Sequence, residues 1–328
     1  MTKKAAKILF LIAGLGMFVL TGNGARAAGG DFSISFLPNN PEPGTAVTAK
    51  IKTYSFDADR ASITWRVDGK KISEGVGKKS VVFKSPELGK KKRVSVYVVT
   101  VDGTRSSRAV SLVGNDMDIL WEAMTSVPVP YEGKALPSAQ SFVKATAVPF
   151  LFSGGRMISA SDLIYNWYLN FRIKKSASGV GKQSFMFRIK EGGDYTVTVR
   201  ASSRSGSVVF EKSVTISAGN YTPKILFYRT DPMKGVFYNN AVGRELDLNG
   251  EETSVKAEPF FFAKEALGKL LYRWKMNGKA IAPGRIPSVA DFRLKPGVSG
   301  SARVDLTINN PVNVLQFASR GFKINFGI

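Results

Sequence analysis

Short stretches in which apolar and small polar residues take turns recur along the chain from about residue 31 onward. Val94-Ser95-Val96-Tyr97-Val98-Val99 and Thr196-Val197-Thr198-Val199-Arg200-Ala201 are the clearest, with Ser207-Val208-Val209-Phe210 a third. Successive strand side chains point to opposite faces, so each stretch can bury one face and wet the other. Its β-branched and aromatic residues also suit the pleated backbone. Turn chemistry falls between the runs, at Val101-Asp102-Gly103, Glu191-Gly192-Gly193-Asp194 and Asn277-Gly278. Long helical periodicity is missing beyond the first residues. Brief helical turns are expected at Ser159-Ala160-Ser161-Asp162, where Ser and Asp can cap, and from Phe262 to Leu267. The pattern predicts an all-β chain built of sandwiches, with strands every ~8–12 residues.

An internal repeat divides that pattern. Trp65 lies in Ile63-Thr64-Trp65-Arg66-Val67-Asp68-Gly69-Lys70, Trp167 in Ile164-Tyr165-Asn166-Trp167-Tyr168-Leu169-Asn170, and Trp274 in Leu271-Tyr272-Arg273-Trp274-Lys275-Met276-Asn277-Gly278-Lys279. A second landmark keeps step with the first. Gly75-Val76-Gly77-Lys78-Lys79-Ser80-Val81-Val82-Phe83-Lys84 aligns with Gly179-Val180-Gly181-Lys182-Gln183-Ser184-Phe185-Met186-Phe187-Arg188, and Phe292-Arg293 echoes its end. Two landmarks in one register imply three modules, assigned to residues 29–114, 115–219 and 220–328. Each is near the ~100 residues of a self-sufficient sandwich. Linkers of a few residues imply a semi-rigid array. The three tryptophans are expected in the cores.

The N-terminus reads as an export signal over residues 1–28. Lys3, Lys4 and Lys7 precede the apolar run Ile8 to Leu20, and Ala25-Arg26-Ala27 has the small-x-small form of a cleavage site. The apolar run is shorter than the ~20 residues of a spanning helix. An uncleaved membrane anchor is the alternative. The chain has no cysteine, so neither a disulfide nor a lipidated cysteine is available. Exported modules without disulfides must hold by packing alone, which suits a bacterial periplasm or cell surface.

The formal charge is +22. The excess is spread along the chain, +7 over 31–114, +4 over 115–219 and +7 over 220–328. Such a field favours association with anionic polymers such as acidic glycans, lipopolysaccharide or free DNA. The densest basic run is Lys90-Lys91-Lys92-Arg93, read as a solvated hairpin tip. With Lys78 and Lys79 it forms a candidate anion-contact patch.

At module level the residues resemble bacterial immunoglobulin-like and PKD-like surface domains. Pro38-Asn39-Asn40-Pro41-Glu42-Pro43-Gly44-Thr45-Ala46-Val47 is similar to their opening before the second strand, and the Trp65 strand with Val67-Asp68-Gly69-Lys70 to their third strand and turn. Gly193-Asp194-Tyr195-Thr196-Val197-Thr198-Val199 resembles their sixth strand, which implies a tyrosine-corner role for Tyr195. The resemblance implies a fold and no activity.

Candidate chemistry is sparse. The chain has no histidine, which rules out serine–histidine and cysteine–histidine nucleophiles and histidine zinc sites. Asp57-Ala58-Asp59 and Asp116-Met117-Asp118 are the closest aspartate pairs, short of the six oxygens calcium needs. Gly179 to Ser184 lacks the spacing of a phosphate loop and precedes a strand. Phe260-Phe261-Phe262 cannot all face one core, so an inter-module contact, a partner surface or a local corner is expected there. No catalytic, cofactor-binding or metal residue is assigned, and no cofactor or small-molecule substrate is expected. The reading is a non-enzymatic structural or adhesive protein of the bacterial envelope with a protein partner there. Its alternatives are an accessory subunit of a pilus or secretion machine, and an electrostatic binder of DNA or anionic glycan.

Overall fold

The alternating segments form strands. The computed structural model describes residues 32–327 apart from 129, 219, 220, 249, 283, 295 and 296. The export signal expected over 1–28 lies outside the described residues.

The first seven strands are β1 (Phe32–Leu37), β2 (Ala46–Thr53), β3 (Ser62–Val67), β4 (Lys70–Val76), β5 (Ser80–Lys84), β6 (Lys91–Val99) and β7 (Arg105–Val113). They form one sheet in the order β1-β2-β5 and another in the order β4-β3-β6-β7. Ten more follow: β8 (Asp116–Ala123), β9 (Phe142–Phe150), β10 (Phe152–Ser153), β11 (Arg156–Met157), β12 (Ile164–Leu169), β13 (Arg172–Ile173), β14 (Gly179–Val180), β15 (Ser184–Arg188), β16 (Asp194–Ser202) and β17 (Val209–Ser217). Here the sheets are β15-β9-β8 and β13-β12-β16-β17, with β14 also on β12 and β10-β11 a small hairpin. The last nine are β18 (Lys224–Asp231), β19 (Gly235–Val242), β20 (Glu245–Leu248), β21 (Glu252–Phe260), β22 (Leu271–Met276), β23 (Lys279–Ile281), β24 (Val289–Arg293), β25 (Gly300–Asn309) and β26 (Phe317–Phe326). They order as β19-β18-β21-β24 and β20-β26-β25-β22-β23, with β20 parallel to β26. Two sheets with this crossing strand order, repeated three times, make the chain a tandem set of immunoglobulin-like sandwiches. Short 3-10 turns occur at Ala160–Asp162 and Lys264–Lys269, close to where helical turns are expected.

The described chain forms two compact units. One comprises the described part of Met1–Ser35 with Thr48–Val82 and Arg93–Ser111; the other comprises Phe36–Val47, Phe83–Lys92 and Leu112–Ile328. In the smaller unit Ile63, Trp65, Val94, Val96 and Val98 are buried. The larger unit holds two apolar cores, one around Trp167 and one around Trp274.

Trp65, Trp167 and Trp274 sit mid-strand, at 0–1% exposure. A buried indole must satisfy its N–H, and each does so with one backbone carbonyl of the loop that follows. Trp65 Nε1 donates to the Lys78 carbonyl at 2.7 Å, Trp167 Nε1 to the Lys182 carbonyl at 2.8 Å, and Trp274 Nε1 to the Pro287 carbonyl at 3.0 Å. In the first two modules the repeated glycine-lysine loop is therefore the acceptor of the core tryptophan. Gly77 and Gly181 shape it with φ of +72° and +67°. A side chain at Gly77 would also press on the Asp59 carbonyl at 3.0 Å.

A second device repeats just after each tryptophan. Asp68, Asn170 and Asn277 take φ of 50°, 48° and 46°. The carbonyl or carboxylate oxygen of each accepts the N–H of Arg93, Thr196 or Arg303 at 2.7–2.9 Å. The N–H of each returns a bond to the carbonyl of the same partner at 2.8–2.9 Å. This clamps the turn to the neighbouring strand in every module. The Tyr195 hydroxyl accepts the Lys190 N–H at 3.0 Å and donates to the Glu191 carbonyl at 3.1 Å, the corner its sequence setting implies.

Candidate functional site

The predicted basic patch does not form a hairpin tip. Lys90 closes the crossing from β5 to β6, and Lys91, Lys92 and Arg93 open β6 itself. β5 and β6 belong to different sheets, so the residues between them bridge layers rather than cap a hairpin. Lys90, Lys91 and Arg93 are exposed, and Lys92 donates to the Lys84 carbonyl at 2.7 Å. Lys78 and Lys79 are exposed on the loop that serves Trp65, and Lys79 pairs with Asp59 at 2.8 Å. Among the described residues no group of three or more His, Cys, Asp or Glu is placed to hold a metal. No described helix is long and apolar enough to cross a membrane.

Two places concentrate polar chemistry. The first, within the larger unit, joins the second and third sandwiches. Met124 to Ser126 and Ser138 to Gln140, on the connection between β8 and β9, bond to the end of β21 and the residues just after it and to the loop between β25 and β26. Ser126 exchanges backbone bonds with Phe261 and Phe262, each at 2.7 Å, and its hydroxyl donates to the Pro259 carbonyl at 2.8 Å. Phe261 takes φ of +63°, which breaks the alternation of Phe260-Phe261-Phe262. Phe262 then enters the third core, while Phe260 and Phe261 meet the ring of Tyr131 edge-on at 5.5 and 6.3 Å. All three phenylalanines are buried. The aromatic run is thus both core and inter-module contact.

Gln316 lies at the centre of this junction, at 0% exposure. Its Oε1 accepts the Ala263 N–H at 2.9 Å and Asn310 Nδ2 at 2.8 Å. Its Nε2 donates to Ser138 Oγ at 3.1 Å and to the Ala139 carbonyl at 2.8 Å. That is the full capacity of an amide, two bonds given and two accepted. Ser138 Oγ donates onward to the Phe261 carbonyl at 2.7 Å, and Gln140 Oε1 accepts the Leu315 N–H at 3.0 Å. At the edge, Arg188 donates to the Gln140 carbonyl and to Asn313 Oδ1.

The second place is in the smaller unit, on the outer face of β4-β3-β6. An open groove of about 470 Å³ is lined by Thr64, Arg66, Lys71, Glu74 and Tyr97. Register sets its rows: Glu74, Thr64 and Tyr97 stand abreast, and Lys71, Arg66 and Ser95 form the next row. Glu74 accepts Lys71 Nζ at 2.6 Å and Thr64 Oγ1 at 3.2 Å. These hydrogen bonds, from Lys71 first, hold its carboxyl below the usual carboxylate range. The Arg66 guanidinium lies 5.9 Å from the ring centre of Tyr97, which is 48% exposed. Sequence reasoning missed the groove, and at the junction it singled out only the aromatic run Phe260-Phe261-Phe262. Alternation in β3 and β6 does identify the outward residues, but the groove also needs the bulge between Trp65 and Arg66, which re-aims Lys71 and Glu74.

No protein-family profile and no curated protein matches the chain. Among solved structures it is similar to the fibronectin(III)-like modules of Clostridium thermocellum CbhA, with 14% identity and a TM-score of 0.28 over 57% of this chain and 94% of that one. It is similar to the central fibronectin-III array of RIM-binding protein, with 13% identity and a TM-score of 0.32 over 92% and 98%. It is also similar to immunoglobulin domains 1–5 of Sidekick-1, with 10% identity and a TM-score of 0.30 over 87% and 56%. At these values the likeness carries no function to this chain.

Proposed function

We propose that the chain is a non-enzymatic structural or adhesive binding protein of the bacterial cell envelope, exported by its leader and built from modules at 29–114, 115–219 and 220–328. The observation that carries this reading is where the buried polar side chains are spent. Thr125, Ser126, Ser138, Ser141, Asn310 and Gln316 are buried at the junction of the second and third sandwiches, and the side chain of each is hydrogen-bonded there; a satisfied network specifies one arrangement. A protein that positions something benefits from a fixed junction between modules.

Fractionation followed by pull-down from envelope extracts tests the reading. The protein is expected outside the cytoplasm, retaining an envelope partner when salt rises from about 0.05 to about 0.5 M, a range over which exposed charge contacts are screened. A cytoplasmic location, or capture of nothing at either salt, contradicts it. The spread of positive charge favours a second reading, an electrostatic binder of anionic polymer, for which all retention would vanish at the higher salt.

A further inference from the structure

We infer that the outer face of β4-β3-β6 binds an acidic saccharide, with the Tyr97 ring as the platform for a sugar ring and Arg66 and Lys71 as the partners of its carboxylate or sulfate. The inference rests on the adhesive reading and supplies its ligand.

The face changes character along the strands. At one end Ser62 stands between Val76 and Val99, which are 67% and 37% exposed. The middle row is Glu74, Thr64 and Tyr97. The cationic end holds Lys71 and Arg66, and alternation along β6 puts exposed Arg93 on the same side as Tyr97. An extended chain laid along the strands would meet an apolar step, an aromatic ring, hydroxyl-binding groups and then cations.

Each group suits a saccharide. A pyranose presents a face of C–H bonds, which an exposed aromatic ring covers. Thr64 and Glu74 supply one hydroxyl and a carboxylate for sugar hydroxyls. Arg66 spends one donor on the Gly69 carbonyl at 3.3 Å, and the remaining nitrogens of its planar fork match a carboxylate or sulfate in two-point fashion. One aromatic ring falls short of the successive stacking platforms that single-stranded nucleic acids use, which weighs against that class of ligand.

The test is calorimetric titration of the full chain with oligogalacturonate, its methyl-esterified neutral form, a sulfated oligosaccharide and single-stranded DNA. Binding of oligogalacturonate or of the sulfated oligosaccharide is expected, whichever carries the better-placed anion, with little for the neutral form and weaker binding of DNA. Tyr97→Ala and Arg66→Ala should each weaken binding by at least about tenfold, Tyr97→Phe should retain it, and Lys275→Ala on the third sandwich should leave it unchanged. DNA binding as tight as the acidic saccharide, no acidic saccharide bound, or insensitivity to both alanine changes overturns the inference. If the saccharide fails while a salt-resistant envelope partner is still captured, only this inference falls.

Discussion

The indole of Trp167 donates to the backbone carbonyl of Lys182 at 2.8 Å, and the same bond recurs from Trp65 to Lys78 and from Trp274 to Pro287. The bond ties the middle of a core strand to the loop that leads into the opposite sheet. Trp167→Phe removes the donor, strands the carbonyl and opens a void. An unpaired buried acceptor costs ~1–3 kcal/mol and truncating a large core ring adds to that, so a loss of about 2–4 kcal/mol is expected. Urea melts of the variant should show a lower midpoint with an unchanged m-value.

At the turn after β12 the predicted change is a gain. Asn170 and Phe171 both take positive φ, 48° and 64°, where the other modules have Asp68-Gly69 and Asn277-Gly278. Phe171 is 71% exposed and packs on little. A bulky residue in the left-handed region costs ~1–2 kcal/mol that glycine does not. Phe171→Gly should therefore stabilise the second sandwich by about 1 kcal/mol, visible as a rise of a few degrees in its melting temperature.

Gln316→Ala should be far more costly than a loop substitution. It leaves the Ala263 N–H, the Ala139 carbonyl and the side chains of Ser138 and Asn310 short of a partner in a buried place. A loss of about 2–4 kcal/mol is expected. It should also divide the calorimetric unfolding of the second and third sandwiches into separable transitions, where the parent chain is expected to show one.

Alkaline pH should weaken the fold through two tyrosines. Burial pushes the phenols of Tyr165 and Tyr272 each up to about 12, against ~10 in an unfolded chain. A folded value above the unfolded one means the stabilisation is complete below pH 10 and is lost as pH rises toward 12. Urea midpoints measured from pH 9 to pH 12 should fall across that window, and Tyr165→Phe should shallow the fall. Phenolate absorbance in the native protein should lag behind that of a tyrosine peptide.

Much of this architecture was legible from patterning. The tryptophan strands and the two Gly-Val-Gly-Lys loops repeat in register because each module needs the same indole acceptor. Tyr195 stood out because a glycine turn and an alternating strand frame it. The junction was not legible, since Ser138, Asn310 and Gln316 are ordinary loop residues until two distant segments, 124–141 and 310–316, are brought together. The run Phe260-Phe261-Phe262 hinted at it, but the positive φ of Phe261 that lets three neighbours bury in two directions leaves no mark in composition. Lys90 to Arg93, a dense run of charge, reads as a solvated hairpin tip, with a turn at Gly89 (φ +73°) just before it. That turn lies in a crossing between sheets, a distinction only topology makes.

The account depends most on the second and third sandwiches being held as one body by the polar junction around Gln316. Residual dipolar couplings of backbone amides, measured on the whole chain, test this directly. The couplings of residues 142–217 and 224–326 are expected to fit one alignment tensor of common magnitude and orientation. Two tensors of different magnitude for the two sandwiches would contradict it.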